Sequence, residues 1–368
     1  MEYSRRDFAK LALGGIPVAT AILADPRRFF AAEKPNSKIN GVQIGVISYS
    51  FRSMPDQSAE AVLGYITTAG LSACELEAPV WPYAYKKLGY TPPGRGGFPG
   101  GAGGRGGAAQ AAAEPGPAVP GQPSWDGHAC PAGRGGGGGG GRGAMTPEQQ
   151  AAQDDLRKFQ LSVSPDIYKD LRKTYNDAGV SIYAVKILTP NADDEMLAKE
   201  FEIGKALGAS HLTAELPAHS DTSTATFKRV GDMALKHGMF AAYHTHLQGT
   251  IDVFDEAFAA SAGNKANIDF GHYVAAGEKG GTPMDFLNKY HDRIGSFHLK
   301  DRTLPEHCSL NLEWGKGDTP IKQILQLVEK NKWPIPATIE LEYEIPAGSD
   351  AVKEVAKCLA YCRAALTT

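Results

Sequence analysis

The chain of 368 residues is long enough for one large barrel or for two ordinary domains. Its net charge of -3 gives no bulk electrostatic attraction to nucleic acid or to anionic lipid, so neither is predicted as a partner. Glycine is unusually frequent, with 43 residues, and most of the excess lies in one block.

The first 32 residues are predicted to be an export signal. Arg5 and Arg6 are paired, Phe8 follows two positions on, and a weakly apolar segment covers residues 11–24. This pattern resembles a twin-arginine signal. The segment is shorter than the roughly 20 apolar residues of a membrane span. We therefore expect export to the periplasm without a membrane span, with a basic amphipathic helix as the alternative.

Strand-like and helix-like segments alternate from residue 40 to the end of the chain. The predicted strands are 42–48, 72–77, 182–187, 211–216, 239–246, a short strand around Ile268, 294–300 and 337–342. The predicted helices are 58–69, 165–178, 193–207, 222–237, 251–261, 283–290, 321–331 and 351–365. Eight strands alternating with eight helices are typical of an α/β fold, the parallel (β/α)8 TIM barrel, so residues 40–368 are predicted to form one such domain.

A low-complexity insertion interrupts this pattern at residues 86–153, after the second strand. Its composition is Gly, Ala, Pro and Arg with hardly a branched aliphatic residue, so we expect it to be disordered. Arg-Gly-Gly triplets begin at Arg95, Arg105 and Arg134 and are typical of binders of single-stranded RNA. Such binders interleave aromatic residues, which are sparse here, so a loop insertion without nucleic-acid binding is favoured.

The five cysteines predict neither a disulfide framework nor a cysteine metal site. They are Cys74, Cys130, Cys308, Cys358 and Cys362. Their number is odd and no Cys-x-x-Cys pair occurs. Within the insertion, Cys130 and His128 are too isolated to form a site.

Ionisable residues gather where the predicted strands end. Asp269 and His272 follow a short strand, because Ile268 and Phe270 alternate with Asp269 and Gly271 lets the backbone turn. The other members of the ring are Glu77, Glu215, His244, His246, His298 and Glu340. Strand C-termini share the face of a barrel where chemistry takes place. Imidazoles and carboxylates without a thiolate suit one divalent ion, Mn²⁺, Mg²⁺, Co²⁺ or Zn²⁺, and salt bridges at the barrel mouth are the alternative.

Four short motifs resemble the xylose isomerase-like TIM barrel superfamily. They are Asp-x-x-His-x-x-x-Ala-Gly within 267–277, Tyr-His-Thr-His at 243–246, Ser-Phe-His-Leu-Lys-Asp at 296–301 and Trp-Gly-Lys-Gly-Asp at 314–318. The superfamily includes sugar phosphate isomerases and epimerases, inosose dehydratase and a metal-dependent apurinic endonuclease. The second motif is similar to the inosose dehydratase-like branch.

The resemblance implies a metal site and a substrate site. The implied metal ligands are His244, Asp269, His298 and Glu340. The residues expected at the substrate are His272, Lys300, Trp81 and Glu77. In keto-sugar epimerases the ligand on strand five is a glutamate that also moves a proton, whereas this chain has His244. Glu215 and His246 are the nearest replacements, so they join Glu340 as the expected catalytic residues.

Such a site supports removal of a proton next to a carbonyl through a metal-stabilised enediolate. We expect a sugar isomerase or epimerase acting on a small carbohydrate. The alternative is a lyase, a dehydratase or β-eliminase, on a keto-cyclitol or 3-keto-glycoside. A DNA-repair nuclease would need more metal ligands and a basic face. A catalytically silent carbohydrate-binding barrel would keep Trp81 and Tyr83 without a complete ligand set. The sequence leaves open whether the chain forms a homo-oligomer.

Overall fold

Eight parallel strands close into a barrel in the computed structural model of the protein, which describes residues 34–93, 122–130 and 145–368. We number the barrel strands one to eight along the chain: Val42–Ile47, Ala73–Leu76, Ser181–Val185, His211–Glu215, Phe240–His244, Asn264–Asp269, Ile294–Leu299 and Ala337–Ile339. Each strand pairs in parallel with the next, and strand eight pairs with strand one. The predicted (β/α)8 TIM barrel is confirmed.

Helices cover the outside of the barrel, because parallel neighbours must be joined by crossover connections. The helices are Ala59–Thr68, Val80–Leu88, Pro147–Ser162, Asp166–Asp177, Asp194–Leu207, Ser223–Lys236, Asp255–Ala260, Phe270–Ala275, Pro283–Tyr290, Ile321–Asn331 and Ala351–Thr367. Ser58, Asp193 and Asp350 cap three of them, each accepting a hydrogen bond from an amide in the first turn. The helix predicted at 251–261 begins later, at Asp255.

The core combines apolar packing with a polar group of side chains inside the barrel. Ile44, Ile268 and Phe297 are fully buried, and burying each such side chain contributes about 1.5–3 kcal/mol. Glu75 and Thr213 are also fully buried, and they are hydrogen bonded to each other across the barrel. The strand side chains thus fill the barrel, and Glu75 and Thr213 form a buried polar layer on which the site is built.

Parts of the predicted disordered insertion are ordered, so the prediction for residues 86–153 is wrong at both ends. Helix Val80–Leu88 includes its first residues, and helix Pro147–Ser162 includes its last. The second helix begins with a capping box, in which Thr146 and Gln149 each bond the other's backbone, followed by a proline in the first turn. These local signals for the start of a helix outweigh the scarcity of branched aliphatic residues in the insertion. Residues 94–121 and 131–144 lie outside the described residues.

A disulfide joins the insertion to the barrel, so the prediction of no disulfide is also wrong. Cys130 bonds to Cys308, which lies 178 residues further along the chain. Cys130 ends a small hairpin, Ser124–Trp125 paired with His128–Ala129, and the Trp125 ring lies 5.4 Å from that of His307. No local spacing encodes this bond, because only the fold brings the two cysteines together.

Two predictions concern membranes and export. Among the helices that the structure describes, none is both long enough and apolar enough to cross a membrane. The predicted twin-arginine signal at residues 1–32 lies outside the described residues, so export stays a prediction.

Candidate metal and active site

Four of the predicted site residues meet at the C-terminal end of the barrel strands. His244, Asp269 and His298 lie on strands five, six and seven, and Glu340 directly follows strand eight. All four are buried, and each offers one nitrogen or oxygen atom such that these atoms lie within 4.8 Å of one another. We call these four residues the ligand cluster.

The ligand cluster fits a divalent ion. Among the described residues, His244 Nδ1 and Asp269 Oδ2 are buried polar atoms without a hydrogen-bond partner. Asp269 Oδ2 does lie 3.0 Å from Lys300 Nζ, which is a charge contact without hydrogen-bond geometry. Unsatisfied buried atoms of this kind are costly unless something binds them. Two imidazoles and two carboxylates are a donor set that Zn²⁺, Mn²⁺ and Co²⁺ accept.

The two histidines of the cluster have opposite charge preferences. Burial, reinforced by the His298 charge, holds the pKa of His244 well below its usual value, so His244 is neutral and can donate a lone pair. Burial alone would also lower the pKa of His298. The carboxylates of Glu75 and Glu340 outweigh that effect and raise the pKa of His298 to about 10. His298 is therefore the proton-carrying member of the pair.

The two carboxylates of the cluster also differ. Burial raises the pKa of Asp269 to about 6, with Glu340 adding to the rise and Lys300 opposing it. Burial acts in the same direction on Glu340, but the charges of Lys300 and His298 outweigh it and hold its pKa well below the usual range. Glu340 therefore stays ionised and is a weak base.

The turn after strand six gives Asp269 two roles. Its Oδ1 accepts a hydrogen bond of 2.7 Å from the His272 amide, capping helix Phe270–Ala275, while Oδ2 faces the cluster. A Cβ atom at position 271 would lie 2.6 Å from the Lys300 carbonyl oxygen, so the turn requires Gly271. The Asp-x-x-His motif is thus both a helix cap and a source of a ligand.

Lys300 was expected to contact substrate, and it lies deep among carboxylates. Its Nζ is 3.0 Å from Asp269 Oδ2, 2.9 Å from Glu340 Oε2 and 2.7 Å from Glu342 Oε2. Burial would lower the pKa of Lys300, but the three carboxylates outweigh burial and raise it. The ammonium group neutralises part of the negative charge of the cluster.

His272 lies between two cations beside the cluster. Its Nε2 is 3.0 Å from Lys300 Nζ, and its Nδ1 is 2.6 Å from a guanidinium nitrogen of Arg302. Burial and these two positive charges lower the pKa of His272, so the ring is neutral. A neutral imidazole has one acceptor nitrogen. The two contacts therefore compete, and one ring nitrogen can turn to a ligand.

The expected proton-transfer residues Glu215 and His246 form a more exposed pair. His246 Nε2 lies 3.4 Å from Glu215 Oε2, and about half of each side chain is accessible. The His246 ring centroid is 5.2 Å from that of His244 and 4.8 Å from that of His272. These three histidines form a second possible set of metal donors, which shares His244 with the ligand cluster.

Glu77 and Trp81 occupy different surroundings, although both were expected at the substrate. Glu77 is close to the site charges, and burial, the largest cause, raises its pKa to about 7. Its Oε2 has no hydrogen-bond partner in the described part of the chain. Trp81 is partly buried on helix Val80–Leu88 and packs against the hydrophobic core. Glu77 is therefore within range of the charges of the site, whereas Trp81 contacts the core.

Three site residues were missed in the sequence. Glu75 is fully buried and lies 2.8 Å from His298 Nε2. Lys186 directly follows strand three, with its Nζ 2.8 Å from Glu215 Oε1. Arg302 contacts His272 as described above. Glu75 lies two residues before Glu77, so both project from the same side of the chain, and only the position of the strand end shows that Glu75 lies inside the barrel and Glu77 beyond the strand. Lys186 resembles any surface lysine until the strand before it is placed.

The Gly-x-Gly-Asp motif has a structural explanation. One carboxylate oxygen of Asp301 accepts hydrogen bonds from the amides of Gly315, Lys316 and Gly317, at 2.7, 3.1 and 2.9 Å. Backbone amides arranged in this way form an anion-binding nest. This nest fixes the segment after strand seven, where Arg302 originates.

The protein is thus a parallel (β/α)8 barrel with a buried cluster at its C-terminal face that could hold a metal ion. Residues 146–362 match the sequence profile of the family described as "Xylose isomerase-like TIM barrel". The match covers more than half of the chain, and the protein belongs to this family. The resemblance stated from the sequence motifs is thereby confirmed at the level of the superfamily. No curated protein matches the chain in sequence.

Solved structures share the fold at low sequence identity. A sugar phosphate isomerase/epimerase from Parabacteroides distasonis ATCC 8503 has 16% identity and a TM-score of 0.53, over 89% of this chain and 96% of that one. A xylose isomerase domain protein from Alicyclobacillus acidocaldarius has 12% identity and a TM-score of 0.53, over 89% and 100%. D-psicose 3-epimerase from Clostridium cellulolyticum H10 has 8% identity and a TM-score of 0.50, over 89% and 100%. At these identities the similarity shows the fold.

Proposed function

We propose that the protein is a divalent-metal-dependent isomerase or epimerase of a small keto-sugar. The observation that carries the proposal is the buried ligand cluster at the end of the barrel where family members do chemistry. A divalent ion held by His244, Asp269, His298 and Glu340 would polarise a substrate carbonyl and stabilise the enediolate formed by loss of the neighbouring proton. The neighbours that are named as a sugar phosphate isomerase/epimerase and a psicose epimerase support the substrate class.

His246 and Glu215 are the proposed proton-transferring pair. They lie beside the ligand cluster on its solvent side, where a base must stand to take a proton from a bound sugar. Glu340 is the third residue that the family resemblance assigns to proton transfer. Its pKa is held well below the usual range, which makes it a poor proton acceptor. We therefore assign proton transfer to the His246–Glu215 pair. Glu340 instead supplies negative charge to the ligand cluster.

Substrate hydroxyls have three proposed partners at the mouth. His272 is neutral, and one of its nitrogens can turn from a cation to a sugar hydroxyl. Glu77 Oε2 has no hydrogen-bond partner among the described residues and burial raises the pKa of Glu77 to about 7, so this side chain can accept or donate a hydrogen bond. Lys300 would donate a hydrogen bond to a sugar oxygen while keeping its contacts with the carboxylates. Trp81 is assigned no step, because its contacts are with the core.

A lyase is the second candidate, and His244 favours it. Epimerisation needs a base on each face of the carbon, and the family relay uses two glutamates, one of which is replaced here by a neutral imidazole. Elimination needs one base and one acid that protonates the departing oxygen. The His246–Glu215 pair with Glu77 can supply both functions to a keto-cyclitol or a 3-keto-glycoside.

The test is proton exchange in D₂O. Metal-loaded protein is incubated with a panel of keto-sugars, keto-cyclitols and 3-keto-glycosides and followed by NMR and mass spectrometry. Deuterium next to the carbonyl with the carbon skeleton and all oxygens retained supports an isomerase or epimerase. Loss of water or of an alcohol indicates the lyase. Absence of exchange with every substrate, from protein shown to hold metal, would overturn the proposal.

The matched control is His291→Ala. His291 lies in the short helix His291–Arg293, and its ring stacks on Trp333, 4.5 Å away. We expect this variant to exchange deuterium at the wild-type rate, while His246→Ala should slow exchange by about 10²–10⁴-fold. Equal slowing in the two variants would point to a general effect of losing an aromatic side chain.

A further inference from the structure

The innermost carboxylate of the barrel, Glu75, has no role in the chemistry described above. It lies on strand two and is fully buried. Thr213 on strand four donates a hydrogen bond of 2.6 Å to its Oε1, and Asn267 on strand six donates to both oxygens, at 3.2 and 3.3 Å. A buried charge in a barrel interior destabilises the fold unless it is fully paired. Residues of two other strands therefore converge to hold this one anion in place.

The third partner of Glu75 is a member of the ligand cluster. His298 Nε2 lies 2.8 Å from Glu75 Oε2, and His298 Nδ1 lies 2.9 Å from Glu340 Oε2. The two ring nitrogens thus face different ways, one towards the barrel floor and the other towards the cluster. An ionised carboxylate can only accept a hydrogen bond. Glu75 and Glu340 therefore each accept from one ring nitrogen, and a divalent ion that replaces the proton on Nδ1 would leave the proton on Nε2 with Glu75.

We propose that Glu75 is a positioning residue that keeps the proton of His298 on Nε2 and thereby directs the Nδ1 lone pair to a divalent cation in the ligand cluster. The inference rests on the proposed metal-dependent function and adds the residue that orients one ligand. Carboxylates that accept from the second nitrogen of a ligating histidine fix the orientation of the ring and increase its basicity.

The hydrogen bonds to Glu75 explain why it can serve this purpose. All three of its partners are donors: Thr213 bonds Oε1, Asn267 bonds both oxygens, and His298 Nε2 lies 2.8 Å from Oε2. With Thr213 and Asn267 fixing both oxygens, the carboxylate cannot rotate away from the imidazole.

The first test compares two buried glutamates. Glu75→Gln removes the charge and keeps the shape, and Glu200→Gln makes the same change outside the site, where Glu200 accepts a hydrogen bond from the Thr189 amide. Affinity for Co²⁺ or Zn²⁺ is measured by competition with a chelator, and the visible spectrum of Co²⁺ reports the geometry of the ligands. We expect Glu75→Gln to bind about 10–100-fold more weakly with a changed Co²⁺ spectrum. Glu200→Gln should bind like the wild type.

Each failure has its own signature. If the wild-type protein binds neither ion, the proposed function fails. If the wild type binds and Glu75→Gln binds equally well with an unchanged spectrum, the positioning role fails and the function stands. Glu75→Asp keeps the charge, so part of the affinity should return, whereas a role in packing alone would gain nothing from it.

A second test does not depend on the folding of any variant. Long-range ¹H–¹⁵N NMR of the Zn²⁺-loaded wild-type protein identifies which nitrogen of His298 carries the proton. The proposal requires the proton on Nε2 and the metal on Nδ1. The opposite arrangement, or two protons on the ring, would overturn it even if every Glu75 variant failed to fold.

Discussion

The buried carboxyl group of Glu200 makes the stability of the protein depend on pH in a way that one substitution should remove. Glu200 lies on helix Asp194–Leu207, is 3% exposed and accepts a hydrogen bond from the Thr189 amide. Burial is the main cause that raises its pKa from 4.5 to about 8. Between these two pH values the folded protein keeps a proton that the unfolded chain has lost.

The sign and size of the effect follow from proton linkage. The contribution of Glu200 is fully present below pH 4.5, where both states are protonated, and it is lost as the pH rises to about 8. At about 1.4 kcal/mol per pH unit, the unfolding free energy falls by on the order of 5 kcal/mol across this window. Glu200→Gln keeps an acceptor for Thr189 and cannot ionise. It should match the wild type near pH 5 and be more stable by several kcal/mol at pH 8.

The assay is denaturant unfolding of both proteins at several pH values from 5 to 8. The quantity of interest is the difference between the two unfolding free energies, because other titrating groups cancel from it. Glu202→Gln is the control, since that side chain is about half exposed and should change stability by less than about 0.5 kcal/mol at any pH. A difference between Glu200→Gln and the wild type that stays constant with pH would contradict a raised pKa of Glu200 in the folded protein.

Three further predictions concern the parts of the chain outside the ligand cluster. Thiol titration of the denatured, unreduced protein should find three free cysteines, because Cys130 and Cys308 are bonded, and five would show that the bond is absent. Replacing residues 94–144 with a short Gly/Ser bridge, together with Cys308→Ser, should leave folding and metal content intact, since none of the described residues of that range, 122–130, belongs to the barrel core; a large fall in melting temperature would contradict this. Changing Arg5 and Arg6 to Lys should keep the protein in the cytoplasm, and undiminished periplasmic protein would remove the assignment.

The barrel was predictable because its signals are local. Strands alternate in hydrophobicity or form short apolar runs, and caps such as Ser58 and Asp193 mark where helices begin. The bond from Cys130 to Cys308 was not predictable, because it joins residues 178 positions apart in the chain. The low-complexity composition of the insertion led to the wrong prediction for the helix that begins at Pro147, although its capping box can be recognised in the sequence.

The site was predictable only to within the register of each strand. His244, Asp269, His298 and Glu340 could be carried over from motifs, and the fold brings them together. Strand two shows the limit of that reasoning. Glu75 and Glu77 are two residues apart and therefore share one side of the strand, and the sequence does not say which of them lies inside the barrel and which lies beyond the end of the strand.

Metal analysis of four purified proteins is the most direct test of the ligand cluster. The wild type, Asp269→Ala, His272→Ala and His244→Ala are loaded with Mn²⁺, Co²⁺ or Zn²⁺, passed through a desalting column and measured by mass spectrometry. Our account predicts one bound ion per chain in the wild type, none in Asp269→Ala, since a lost carboxylate removes both charge and geometry, and one in His272→Ala, which should lack activity. A His272→Ala protein that loses the ion, beside a His244→Ala protein that keeps it, would contradict the ligand cluster as we have assigned it.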